Sequence, residues 1–567
     1  MARLKYNFTW KKYHRWLGLV LSVFMLVFCV SGIILNHREV FSGCEVSRKW
    51  LPASYHIKNF NNGVVKGTVV KKSAAHSLSS ENCDSVLAYG CAGVFLTDSR
   101  LSTWQDFNAG LPESIDERNV RHVVKAKDGS LWCAALRDVY RYDENSHRWK
   151  KVELPGNEER IMDVALAKDS MTVVALTRSR VFTVVPFVQY GEIVKIGKSS
   201  SETYRVESRI IPAPKKYEPK TTLFKLVWHL HSGEFFGLPG KLVVDAIALV
   251  LIVLSITGII RFILPYGIRR AKKVKSEERR VKNSLAAKNR MKRLGKLFAW
   301  NMKWHNKIGY VTIVLTLWIA ITGMCLRPPL MVPLVLSKLP QAVGEDGNVW
   351  QDKLRAIRWD AVQGDWLVST SEGFLRVDED FSQAPKMLPD DECPKLSPMG
   401  VTVWESDGKG GWIVGSFRGI YRWNPVNHSL NQILDYFTGK PSEETSMIPI
   451  SDNLVCGYSE DFLGGKPLVF DFAKGVEDAK GQAVALCNDE PKTSRNEESM
   501  SDLICETAPM SLWNVALELH VGRCYSPFLG PLSDLFVFLS GLLITLVLLS
   551  GYIISHRRRK KAQARLK

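Results

Sequence analysis

Histidine recurs at the edges of four apolar stretches of this 567-residue chain, each time in the same company. Tyr13-His14-Arg15-Trp16-Leu17-Gly18 leads to Ser31-Gly32, and Trp304-His305-Asn306-Lys307-Ile308-Gly309 leads to Thr322-Gly323. His231-Ser232-Gly233 leads to Thr257-Gly258, and His520-Val521-Gly522 leads to Ser550-Gly551. Histidine is costly inside a bilayer, so four placed alike point to function rather than packing. A low-spin haem iron takes two axial nitrogens, which facing helices of a four-helix bundle can supply. Paired by depth, His14 with His305 would make an inner b-type haem site and His231 with His520 an outer one, two haems per chain.

Residues 18 apart share one helix face, because five turns of 3.6 residues return to the starting angle. His14 and Gly32 have that spacing, as do His305 and Gly323, with Gly18 and Gly309 about one turn beyond each histidine. Gly18, Gly32, Gly309 and Gly323 are therefore expected to clear room for a flat macrocycle. The competing reading makes the histidines inert headgroup-level residues and the glycines plain packing devices. His37, which has no counterpart in the second half, and His229 are alternative outer ligands or interfacial residues; His556 opens a basic tail.

A structural zinc ion wants four ligands in a tight tetrahedron, which pairs at separate depths do not offer. There is no Cys-x-x-Cys-His word for covalent haem, no Gly-x-Gly-x-x-Gly after a strand and no P-loop. No nicotinamide, flavin or nucleotide site is visible, and no catalytic residue is assigned. Electrons arriving from inside would need a quinol or a separate cytoplasmic reductase as donor.

The elements that must position these histidines are the apolar stretches near residues 17–35, 241–264, 308–332 and 533–554. Each is about long enough to cross ~30 Å of hydrocarbon as a helix. Residues 1–16 carry five Lys/Arg, 267–303 carry fourteen against two Glu, and 556–567 carry seven. These segments exceed the whole chain's charge of +19, so the remainder is slightly acidic. They flank the spans on one side, which predicts cytoplasmic termini and loop and a multi-pass bacterial inner-membrane protein with large periplasmic domains. Basic runs of this kind are topology signals in contact with membrane lipid; no nucleic-acid partner is expected.

The predicted order is cytoplasmic start and first span (1–37), first periplasmic β-rich segment (38–227), second span (228–266), basic loop (267–303), third span (304–332), second β-rich segment (333–515), fourth span (516–555) and basic tail (556–567). The first span precedes Phe41-Ser42-Gly43-Cys44, which loosely resembles a lipoprotein box. Asn36 to Glu39 intervene and no small-residue cleavage site follows the apolar run, so a retained helix is expected. Cys29 sits in a span, whereas Cys44, Cys83, Cys91 and Cys133 fall in the first outer segment and Cys325, Cys393, Cys456, Cys487, Cys505 and Cys524 in or beside the second. Even numbers in an oxidising compartment fit disulfides, with free buried thiols as the alternative.

Span, outer segment, span occurs twice: an internal duplication in which Ser31 and Thr322 each lie 17 residues after their histidine. The outer segments repeat a strand, tight turn, strand word at residues 129–142, 365–377 and 411–423. Three such units per segment, near 83–112, 117–155, 158–190, 350–390, 395–437 and 447–475, would close a composite six-bladed ring. The expected fold is thus an α-helical membrane bundle of four transmembrane helices, duplicated two plus two, with a β-rich, propeller-like extracytoplasmic domain built from two long insertions.

The words around His14, His305, His231 and His520, with Gly18, Gly309, Gly233, Gly522 and the small-residue exits, make the chain resemble the PepSY-associated transmembrane helix family of bacterial inner-membrane proteins. Members include reductases that use two b-type haems to reduce ferric siderophores on the outer side, and the resemblance implies that role here. It covers the four spans; the outer segments show no PepSY domain and leave the chelate undefined. Arg38, Arg327 and Arg523 near the outer edge could neutralise haem propionates or an anionic chelate, or simply anchor the interface. The alternative class is a non-enzymatic sensor or scaffold whose spans anchor a β-propeller-like, ligand- or partner-binding ectodomain.

Overall fold

The computed structural model describes residues 2–72, 85–98, 103–186, 204–278, 285–343, 346–397, 400–417, 419–427, 429–432, 454–462, 465–478 and 508–564. They sort into two units. One, helical, comprises Met1–Phe41, Lys220–Pro340 and Leu512–Lys567; the other, β-rich, comprises Ser42–Pro219 and Gln341–Ser511.

The helical unit contains α1 (Ala2–Asn36), α2 (Leu223–Ser232), α3 (Gly237–Glu278), α4 (Leu285–Val311), α5 (Ile313–Cys325), α6 (Leu512–His520) and α7 (Ser533–Gln563). Their apolar runs suit helices, because a backbone in hydrocarbon must satisfy its hydrogen bonds internally. Helix α2 starts at Thr222, whose Oγ1 accepts the Lys225 N–H at 3.1 Å, and stops at Gly233 with φ +78°. A side chain at Gly233 would meet the Gly240 carbonyl at 2.3 Å as well as carry a left-handed backbone. Gly522, φ +86°, follows α6 in the same way. The glycines following His231 and His520 are therefore helix-stop residues, and each histidine rides the last turn of a short helix preceding its span.

The four-span expectation needs correction. Trp10–Asn36, Glu234–Arg269 and Arg523–Gln563 are each long and apolar enough to cross a membrane, and only these three among the described residues are unbroken. The run expected over 308–332 is a pair, α4 and α5, bent by 68° around Thr312. Thr312 Oγ1 donates to the Ile308 carbonyl at 2.9 Å, and Thr316 Oγ1 to the Thr312 carbonyl at 3.1 Å. The backbone leaves the helical conformation at Thr312, with φ −93° and ψ 7°, and that is where the bend lies. Hydropathy is blind to it.

The propeller expectation is also set aside. Among the described residues the β unit forms six small antiparallel sheets, five of four strands and one of three, plus a two-stranded pairing of Glu45–Val46 with Met510–Ser511. The sequence hairpins are present, for example Asp365–Thr370 with Gly373–Val377 and Trp412–Ser416 with Gly419–Asn424. The sheets are small and separate, and among the described residues they form no closed barrel or propeller. Alternating residues specify hairpins locally; how sheets associate is set by side chains far apart in sequence.

Those side chains join the two outer segments into one unit. Val174, Leu176, Val181 and Ile211 of the first pack with Trp350, Trp366, Val368 and Leu375 of the second, all essentially buried. Arg358 Nη1 donates to Asp163 Oδ2 at 2.6 Å, His122 Nδ1 lies 3.3 Å from Asp163 Oδ1, and the Ile357 N–H donates to Asp163 Oδ2 at 3.0 Å. Burial alone would raise the Asp163 carboxyl, but Arg358 and His122 outweigh it and hold it below its ordinary range. The Asp163 and Arg358 side chains are 5% and 13% exposed, so removing one partner strands a buried charge. Arg358→Met is expected to lower the unfolding free energy of the β unit by about 3–5 kcal/mol in urea titrations. A folded value below the unfolded ~3.9 means the pair's contribution is complete above that pH and is lost as pH falls through the folded value. The wild-type and Arg358→Met unfolding curves should accordingly converge in acid.

The eight described cysteines, Cys29, Cys44, Cys91, Cys133, Cys325, Cys393, Cys456 and Cys524, are free thiols, against the disulfide expectation. Burial pushes Cys393 and Cys456 up to about 12. Cys83, Cys487 and Cys505 lie outside the described residues.

Candidate functional site

The helical unit brings the four histidines together in two pairs. His14 and His305 have ring centres 6.4 Å apart with planes at 72°; His231 and His520 are 6.2 Å apart at 51°. With a metal–imidazole bond of about 2.0 Å and about 1.1 Å from ring nitrogen to ring centre, two imidazoles on opposite sides of one metal ion have centres about 6.2 Å apart. Both pairs stand at that separation.

Each ring is held by a Ser/Thr-Gly pair on another helix. His14 Nδ1 lies 2.9 Å from Ser550 Oγ, and His520 Nδ1 lies 2.9 Å from Ser31 Oγ. His231 Nδ1 lies 3.0 Å from Thr322 Oγ1, and His305 Nδ1 lies 2.8 Å from Thr257 Oγ1. The exchange is reciprocal: α1 and the α6–α7 segment hold each other's histidine, as do the α2–α3 and α4–α5 segments.

The hydroxyls have their own protons engaged. Ser31 donates to the Val27 carbonyl at 2.7 Å, Thr257 to Val253 at 2.6 Å, Thr322 to Trp318 at 2.8 Å and Ser550 to Val547 at 2.7 Å. Toward the histidine each hydroxyl can then only accept. His14 Nδ1 also reaches the Val547 carbonyl and His520 Nδ1 the Phe28 carbonyl, each at 3.1 Å, and a carbonyl likewise only accepts. The network therefore assigns the proton to Nδ1 and leaves the Nε2 lone pair free. That is the arrangement of a metal-ligating imidazole whose second nitrogen is fixed by an outer partner.

Glycine makes the room. A Cβ on Gly323 would lie 2.8 Å from His231 Cε1, on Gly551 2.9 Å from His14 Cε1 and on Gly32 3.3 Å from His520 Cε1. Gly258 is looser, at 3.7 Å from His305 Cε1. Gly32 and Gly323, expected to clear a macrocycle, thus face a histidine ring. Gly18 and Gly309 lie in ordinary contact with Val547 at 3.7 Å and Leu254 at 3.6 Å. Gly258, Gly551 and the four hydroxyls were not singled out as site residues. Their signal was the repeated Ser/Thr-Gly word itself.

The other membrane-edge histidines stand apart from the pairs. His37 Nε2 bonds Asp245 Oδ2 at 2.7 Å, His229 lies beside Trp228 with ring centres 5.6 Å apart, and His556 stacks on Tyr552. Among the described residues no group of three or more His, Cys, Asp or Glu could hold a metal ion. Donor type, pairing and spacing fit two bis-histidine haems.

Solved structures with some likeness include the extracellular domain of BT4673 from B. thetaiotaomicron, described as a one-component system. It is 11% identical with a TM-score of 0.32, over 73% of this chain and 32% of that one. The same domain described as a hybrid two-component system is 10% identical with a TM-score of 0.32, over 75% and 39%. This chain thus spans about a third of their length. Comparison with curated proteins found no match. The model of the PepSY-associated TM region matches residues 3–264 and 271–559, including every histidine and Ser/Thr-Gly pair of the two sites. The chain belongs to the family defined by that region, and is a membrane protein.

Proposed function

We propose that this protein is a two-haem electron-transfer protein of the bacterial inner membrane that reduces a ferric, siderophore-type chelate on the periplasmic side during iron acquisition. The observation that carries the reading is the two imidazole pairs, each Nδ1 anchored and each Nε2 free, at the separation of two axial ligands. When bound, two b-type haems would supply reversible one-electron chemistry at two depths. His14 and His305 would hold the inner group, His231 and His520 the outer. Ser550, Thr257, Thr322 and Ser31 fix the ring tautomers, which keeps each ligand ready without rearrangement. Asymmetry of positive charge supports cytoplasmic termini, so electrons would enter from a quinol or a cytoplasmic reductase and leave outward.

The test is a dithionite-reduced minus oxidised absorption spectrum of the purified protein with haem quantified per chain. About two b-type haems per chain, from two bis-histidine pairs, support the reading and make outer-face ferric reduction the next assay. Absence of haem after expression with adequate haem supply would transfer the assignment to a membrane-anchored sensor or scaffold.

A further inference from the structure

Arg261 follows Thr257 by four residues and Gly258 by three, so it continues the face of α3 that clasps His305. It is an electrostatic neighbour of both His14 and His305, and of Arg15 and Arg558. Arg15 leans over the ring of Phe262, the residue next to Arg261, at 4.9 Å. Arg261 stands beside the inner histidine pair, and two further guanidinium groups, Arg15 and Arg558, stand near Arg261. Arg261 is half-buried in a membrane span, and among the described residues no carboxylate pairs with it. The outer arginines differ: Arg523 Nε bonds Glu518 at 2.9 Å, Arg327 lies 3.5 Å from Asp534, and Arg38 covers Trp513 at 3.9 Å. A cation at membrane depth with no carboxylate partner among the described residues, and with two like charges near it, suits an anion from outside the chain. Guanidinium matches carboxylate and phosphate geometry through its planar fork of donors.

We propose that Arg261, with Arg15 and Arg558, forms an anion-binding site for the carboxylates of the haem held by His14 and His305. This rests on the two-haem reading. The alternative source of a matching anion is an acidic phospholipid headgroup. Arg261 acts as a positioning residue that keeps positive charge beside the inner group and raises its affinity for an electron.

The experiment uses the full-length protein in detergent, comparing wild type, Arg261→Gln and Arg261→Lys by optical redox titration, with haem and phospholipid quantified. Arg261→Gln is expected to shift the midpoint potential of the inner haem downward and leave the outer one in place, and Arg261→Lys to restore part of the shift. If Arg261→Gln is not produced, Arg558→Gln, on an exposed side chain, should give a smaller shift in the same direction. Two haems at unchanged potentials overturn the proposal. Loss of a co-purifying acidic phospholipid at unchanged potentials also overturns it, assigning the anion to the lipid. A wild-type protein without haem refutes the two-haem reading itself, a separate result.

Discussion

His231→Ala or His520→Ala is expected to leave one haem per chain instead of two, with the remaining haem spectrally unchanged. Each substitution removes one of the two imidazoles that stand 6.2 Å apart and leaves the other with a single axial partner. The second pair is remote. On α1, His14 of the inner site and Ser31 of the outer clasp are 17 residues apart, about 25 Å at 1.5 Å per residue. The two sites share no side chain, so His14→Ala or His305→Ala should give the complementary loss. Haem content per chain and the reduced-minus-oxidised spectrum decide the matter. Unchanged content in both outer variants would reject these ligands outright.

The second large effect touches no ligand. Gly323→Ala should weaken haem binding at the outer site and Gly551→Ala at the inner, because the added carbon would lie 2.8 or 2.9 Å from an imidazole carbon. Carbon atoms prefer about 3.5–4.0 Å, so the ring must swing away from its hydroxyl and lose the hydrogen bond that aims Nε2. Loss of such an outer-shell partner typically weakens metal binding by about 10–100-fold. Gly258→Ala, Gly18→Ala and Gly309→Ala meet neighbours no closer than 3.6 Å and should retain both haems. Haem retention after size-exclusion chromatography separates the two groups. If all five variants behave alike, the clasp has no functional weight.

Much of this site was legible before the fold. His14, His305, His231 and His520 are recognisable because the word around each recurs, and their pairing by depth follows from which end of a span each occupies. The role of Ser31-Gly32 and its three counterparts was not legible. Helical periodicity relates residues on one helix, whereas Gly32 serves His520, nearly five hundred residues away, and only bundle order brings them together. For the same reason Gly18 and Gly32 looked equivalent on their stripe, although one meets an aliphatic side chain and the other an imidazole. The bend at Thr312 escaped because threonine is tolerated in an apolar run, and the break is one of backbone dihedrals that hydropathy does not report. In the β unit, alternation gave the hairpins, while the Asp163–Arg358 contact joins positions 195 residues apart.

Every clasp described above crosses the duplication. His14 needs Ser550, His520 needs Ser31, His231 needs Thr322 and His305 needs Thr257, and each facing pair takes one histidine from either half. During synthesis no nascent chain holds a finished inner site until Ser550, in the final span, has left the ribosome and entered the bilayer. On the two-haem reading, loading of the inner site would act as a checkpoint on completed insertion: a polypeptide cut before Ser550 is expected to lack the inner haem, and an inner-haem signal would report a chain whose first and last spans have met.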